Sequence, residues 1–129
     1  MLVADTEVSW QRRLGTYPGL VAADEAIVLV ALNGSDPVGY AVARLIAEPS
    51  DTFAVGDTYA ELYSLSVAPT ARGLGIGTRL LDELDALLEV DGINDMVVAV
   101  MTDNGAARRF YERRGLRAVE TYYWRIGPR

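Results

Sequence analysis

The sequence predicts an α/β (α+β) fold: a mixed, mostly antiparallel central sheet with helices packed on its faces. Two observations predict it. Three strand-like runs, 26–32, 38–47 and 58–68, precede any strong helical pattern, and the first two flank the turn sequence Asn-Gly-Ser-Asp-Pro at 33–37. Two helical patterns then alternate with strand-like runs, so the order is ββ–β–α–β–α–β, which demands a sheet with helices laid on it.

The elements follow in order. Residues 4–14 can form a helix with Val8 and Leu14 inward and Gly15 as its stop, and 16–20 read as a loop. "AIVLVAL" (26–32) is rich in β-branched residues, and "VGYAVARLIA" (38–47) returns beside it. "EPSDTFAVGD" (48–57) is a polar connection, and "TYAELYSLSVA" (58–68) is a third strand halted by Pro69. Leu80, Leu81, Leu84, Leu87 and Leu88 then fall on one stripe of a helix, with Asp82, Glu83, Asp85 and Glu89 on the rest. "DMVVAVM" (95–101) reads as a buried strand. "NGAARRFYERR" (104–114) reads as a helix with Asn104 as N-cap and Gly115 as stop. "LRAVETYYWRI" (116–126) supplies one or two last strands.

At 129 residues the chain has room for one domain, 1–129, with a real core. No apolar run approaches the roughly 18 residues of a membrane span, and the acids Asp5 and Glu7 stand where a signal peptide carries basic residues. The expectation is a cytoplasmic protein with no membrane partner. Cys, His and Lys are all absent, so every one of the twelve basic side chains is Arg. That excludes thiol and Ser-His-Asp nucleophiles, Schiff-base lysines and the usual zinc sites, and no metal is expected. A net charge of −6 speaks against a nucleic-acid partner and for a cationic small molecule or basic peptide.

The chemistry-bearing stretch is "TARGLGIGTRLLDELDALLE" (70–89), with glycines at 73, 75 and 77 behind Arg72. A nucleoside-triphosphate loop needs a lysine that the chain lacks. The dinucleotide pattern G-x-G-x-x-G fails at Thr78 and sits too late in the chain. What remains is R-x-x-G-x-G between a strand and a helix. Glycines there let successive N–H groups converge on an anion, and the helix dipole adds positive potential. A second pattern, N-x-x-A-x-x-F-Y-x-x-x-G, occupies 104–115, with Asn104 and Tyr111 two turns apart on one side and Phe110 aimed at the core.

These two motifs together resemble the GNAT superfamily of N-acetyltransferases over about residues 26–126. The resemblance implies the acyl-CoA N-acyltransferase fold, splayed between the family's fourth and fifth strands, here the strands at 59–67 and 96–101. It implies acetyl-CoA as co-substrate, with pantetheine amides paired to main chain at Leu65, Ser66 and Val67. Backbone amides of Gly73, Leu74, Gly75, Ile76, Gly77 and Thr78 would hold the pyrophosphate under Arg72. Asn104 would donate to the pantetheine arm past the small Ala107. Tyr111 would be the general acid and Glu61 the base; each has a plainer alternative, Tyr111 as a core residue and Glu61 as an arginine's ion-pair partner. Asp51 and Asp57 could draw in a cationic acceptor or merely face water. Members usually open with a strand and two helices, whereas only about 25 residues precede the first clear strand here, so the expectation is either an abbreviated N-terminal part or a natural start other than Met1. The implied reaction is acetylation of a small-molecule or peptide primary amine. A non-catalytic acyl-CoA sensor is the alternative, and a homodimer is compatible with either. The run Arg108, Arg109, Arg113 and Arg114 reads mainly as a solvated helix face, with Arg108 or Arg109 as outside candidates for a CoA phosphate, and Tyr122, Tyr123 and Trp124 read as sheet packing.

Overall fold

In the computed structural model, residues 26–47 and 56–128 are described, so the expected helix at 4–14 and most of the 48–57 connection lie outside them. The described elements are β1 (Ala26–Asn33), β2 (Asp36–Ile46), β3 (Tyr59–Val67), a 3-10 turn (Pro69–Ala71), α1 (Ile76–Val90), β4 (Met96–Val98) and α2 (Gly105–Arg113). They fall into two compact units, one ending at Ala99 and one beginning at Val100.

The first unit holds the sheet, in the order β1-β2-β3-β4. The β1–β2 hairpin turns through Gly34 at φ 65°, a left-handed conformation that glycine adopts without penalty. β1–β2 and β2–β3 are antiparallel, and β4 joins β3 in parallel. This is the mixed, mostly antiparallel sheet that the order of elements predicts.

α1 covers the sheet with the face that its leucines define. Leu80, Leu81, Leu84 and Leu88 are buried with Ala41, Ala43, Ala60 and Leu62 of the strands. A fully buried leucine contributes about 1.5–3 kcal/mol, so these side chains dominate the helix's attachment. Leu87, expected on the same stripe, is 43% exposed; it lies about 100° around the helix from Leu88 and falls at the stripe's edge. At one point the layers come closer than a side chain allows. A Cβ on Gly39 of β2 would lie 3.0 Å from the Ser66 carbonyl oxygen and 3.2 Å from the Ile76 side chain. Gly39 thus lets the first residue of α1 sit directly on the end of the sheet.

The second unit contains α2 and the segment after it. Two sequence expectations are corrected in this part of the chain. The strand expected over 95–101 is only Met96–Val98, and 116–126 contains no strand. Tyr123 and Trp124 are 94% and 84% exposed, so the aromatic cluster is not packed on a sheet. β-propensity marks a segment that can pair, but a strand exists only where a neighbouring edge accepts its hydrogen bonds.

Candidate active site

The geometry of the site begins with a fault in β3. Ala43 pairs with Leu62, yet Ala41, two residues away, pairs with Leu65, three residues away. Tyr63 is the extra residue, a β-bulge. Such a bulge bends its strand and ends regular pairing beside it. Pairing with β4 covers only Ala60, Glu61 and Leu62 and stops at that point. β3 is therefore hydrogen-bonded along both edges before Tyr63. From Tyr63 to Val67 it is bonded only to β2 among the described residues. Leu65, Ser66 and Val67 lie on this open edge, where unpaired backbone groups are a template for an extended ligand.

The chain then passes through the 3-10 turn to the glycine loop. Arg72 is extended (φ −69°, ψ 152°), and Gly73 and Gly75 both adopt left-handed backbone at φ 78° and 79°. No atom lies within 4 Å of a Cβ built on either, so the requirement for glycine is conformational and not a matter of space. Alternation of left- and right-handed residues turns successive N–H groups to one side. α1 starts at Ile76 without a side-chain cap and without an acid in its first turn. Its first helical bond is the Arg79 N–H to the Gly75 carbonyl, 2.9 Å. The N–H groups of Ile76, Gly77 and Thr78 have no acceptor among the described residues. Three donors without an acceptor among the described residues thus stand at the positive end of a four-turn helix, in the same loop as the exposed Arg72.

The start of α2 is arranged differently. Asn104 Oδ1 accepts the Ala107 N–H at 3.1 Å, the N-cap that the sequence calls for. With Oδ1 oriented into the cap, the two N–H groups of Nδ2 are left to donate to an outside partner. Tyr111, in the last turn, is buried, and its ring meets Phe110 edge-on at 5.2 Å between centroids. The sequence places Phe110 in the core, yet Tyr111 is the more buried of the two. Burial pushes the Tyr111 phenol above its ordinary value, because the anion would lose solvation that the neutral form does not need. Arg108 donates to the Thr102 carbonyl at 3.2 Å, and the Arg109 guanidinium folds back over Gly105, so neither projects freely as a phosphate ligand.

Glu61 is not isolated. Its Oε1 lies 3.7 Å from the Arg44 guanidinium, directly across the β2–β3 pair. The same guanidinium sits 5.8 Å from the centre of the Tyr63 ring. Ser64 is buried and donates to the Tyr40 hydroxyl at 3.2 Å, as befits a structural serine. Sequence reasoning alone missed Arg44, Tyr63 and Gly39. Only Gly39 left a local signal, since a glycine inside a strand marks a bulge or a close backbone approach. Among the described residues no group of acids can hold a metal, and no helix is long and apolar enough to cross a membrane.

A mixed sheet whose parallel β3–β4 pairing ends with β4 at Val98, with a left-handed glycine loop at the head of the next helix, defines the class as an α/β protein. The profile of the acetyltransferase (GNAT) family matches residues 2–116, and the chain belongs to that family. An uncharacterised N-acetyltransferase of Methanocaldococcus jannaschii is 44% identical over 57 residues, 43% of this chain and 36% of that one; the match spans about a third of the relative's length. Among solved structures, a candidate acetyl transferase from Pyrococcus furiosus superposes with a TM-score of 0.76 at 27% identity, over 97% of this chain and 81% of the other. An aminoglycoside 6'-N-acetyltransferase from Acinetobacter haemolyticus gives 0.75 at 17% identity, over 98% and 85%. An aminoglycoside N-acetyltransferase in complex with CoA gives 0.76 at 15%, over 92% and 87%. The last two share the fold.

Proposed function

We propose that the chain is a single N-acetyltransferase domain that moves an acetyl group from acetyl-CoA to a primary amine by direct attack. The observation that carries this reading is the continuity of the open β3 edge with the nest. The edge of β3 away from β2, without a partner among the described residues from Tyr63 to Val67, leads through Arg72 to the N–H groups of Ile76, Gly77 and Thr78, which have no acceptor among those residues. An extended amide-bearing arm suits the first, and a diphosphate suits the second. The coenzyme joins these two groups in one molecule. By the family resemblance, Asn104 Nδ2 and the small Ala107 are assigned to the pantetheine arm.

In the reaction the amine nitrogen forms a bond to the thioester carbonyl carbon, and the carbon–sulfur bond breaks. The departing sulfur takes a proton, and the new amide nitrogen gives one up. Tyr111 is assigned to the first transfer. Its raised value keeps the phenol protonated at neutral pH. Since a phenol is a weaker acid than a thiol, about 10 against 8.5, Tyr111 stabilises the developing thiolate by hydrogen bonding; the proton's transfer to sulfur is uphill and is completed by departure of the CoA thiol and reprotonation of the phenol from solvent. Glu61 is assigned to receive the amine proton, directly or through water. A lysine-like amine near 10.4 is neutral in only about one molecule in a few thousand at pH 7, whereas an α-amine at roughly 7.7–8.0 is about a tenth neutral. The demand on the base is correspondingly lighter for an α-amine.

Release of CoA is measurable with a thiol reagent at zero protein background, because the chain has no cysteine. Acetyl-CoA binding by calorimetry with CoA release on addition of an amine is the expected result. Binding without release on any amine would identify an acyl-CoA sensor, and failure to bind would remove both readings.

A further inference from the structure

We propose that the acetyl acceptor is an α-amino acid or a similar zwitterion, with its carboxylate taken by Arg44 and its amine presented to Glu61; this rests on the amine-acetylation reading and names its substrate class. The inference starts from how loosely the two charges hold each other. At 3.7 Å the contact is an ion pair without a hydrogen bond, and the side chains are 42% and 35% exposed. Neither makes a hydrogen bond with any described residue. The Arg44 fork keeps its N–H donors, and the Glu61 carboxylate keeps its lone pairs, for an outside partner. Arg44 is nonetheless oriented, because it is held between the Glu61 carboxylate and the face of Tyr63. A planar guanidinium stacked on a ring and free at its edge suits bidentate recognition of a carboxylate.

The same arrangement argues against a simple polycation at this point. The guanidinium cancels the charge of Glu61, so a diamine finds no net attraction there. A molecule whose own opposite charges sit one carbon apart satisfies both groups without leaving either unpaired. Its amine is an α-amine, which is neutral more often than an alkylamine and needs less from a base whose carboxylate is already shared. Tyr63 occupies the bulge at which the β3–β4 pairing ends, which places the pair at the threshold of the open edge assigned to the thioester arm. Acetylation then forms one nitrogen–carbon bond, breaks the carbon–sulfur bond of the donor, and passes one amine proton toward Glu61.

The test uses the whole protein and the common amino acids other than cysteine, whose thiol reacts with the reagent, and proline, which has no primary amine, each beside its carboxamide, with CoA release as readout. For the side chain that fits, the acid should exceed its carboxamide at least tenfold in kcat/KM. Arg44→Met should lower kcat/KM at least tenfold more for the acid than for its carboxamide, with that extra loss appearing in KM. Arg44→Lys should recover part of the loss. Carboxamides or simple alkylamines that match the acids, or an Arg44→Met effect equal on both, would overturn the proposal and show a cross-strand pair with no role in recognition. Calorimetry of the same acids and carboxamides without coenzyme provides a readout independent of turnover. Preferential binding of the acid, lost in Arg44→Met, supports the proposal even if transfer fails. Absence of that preference, with acetyl-CoA binding intact, sinks the acceptor class and leaves the acetyltransferase reading standing.

Discussion

The two helices end alike and begin differently. α1 finishes with Gly92 at φ 71°, where the Gly92 and Ile93 N–H groups return to the Glu89 and Leu88 carbonyls. α2 finishes with Gly115 at φ 91°, and the Gly115 and Leu116 N–H groups return to Glu112 and Tyr111. Both are left-handed glycine stops that satisfy the last carbonyls from within the chain. At the other end α2 is capped by its own Asn104, whereas α1 leaves three donors open behind two left-handed glycines. A helix start that satisfies itself gains stability, and one that does not is left with an unmet demand that a ligand can fill. On the proposed reading, the self-capped start holds α2 in place, and the open start of α1 is the one whose donors the coenzyme's diphosphate would fill.

Four experiments can break or sharpen this contrast. The largest effect is expected at the open start. Gly75→Ala imposes a left-handed penalty of about 1–2 kcal/mol on an L side chain, and acetyl-CoA affinity measured by calorimetry should fall about thirtyfold, close to 2 kcal/mol. An affinity within threefold of wild type would mean that the nest is not the diphosphate site. Next is Tyr111→Phe, which keeps the ring and removes the phenol. Turnover should drop at least about tenfold, with coenzyme affinity nearly intact, and wild-type turnover would remove Tyr111 from the reaction.

The capped start should respond the opposite way to the open one. Asn104→Ala removes the bond to Ala107 and should cost about 1 kcal/mol of stability by thermal or urea unfolding. Asn104→Asp keeps the cap acceptor but deletes the donor, so stability should hold while coenzyme affinity falls. Equal loss of stability in both variants would show that the amide donor matters to the fold itself. The smallest effect concerns α1 beyond its start, where Arg79 and Glu83 form an exposed i,i+4 pair at 3.2 Å. Glu83→Gln should change stability by no more than about 0.5 kcal/mol, and a larger loss would mean that the exposed face of α1 is less independent of the core than its burial implies.

Much of this was legible because its causes are local. The Gly34 turn, the leucine face of α1, the Asn104 cap and the Gly115 stop each depend on residues within a few positions of one another, and each stands where the sequence places it. The glycine loop was legible for the same reason, since left-handed backbone at Gly73 and Gly75 is a property of those residues. The ion pair at Glu61 was open to sequence reasoning only as an alternative, because its partner Arg44 is seventeen positions away and is chosen by the β2–β3 register.

What the sequence determined by itself was periodicity, stops and backbone permission, all set by steric and hydrogen-bonding preferences within a turn or two. What the tertiary structure decided was which edges pair. The bulge at Tyr63, the early end of β4 and the absence of a strand over 116–126 each depend on whether a neighbouring backbone is in reach. A strand's hydrogen bonds belong to two segments of chain at once, so no single segment can specify them.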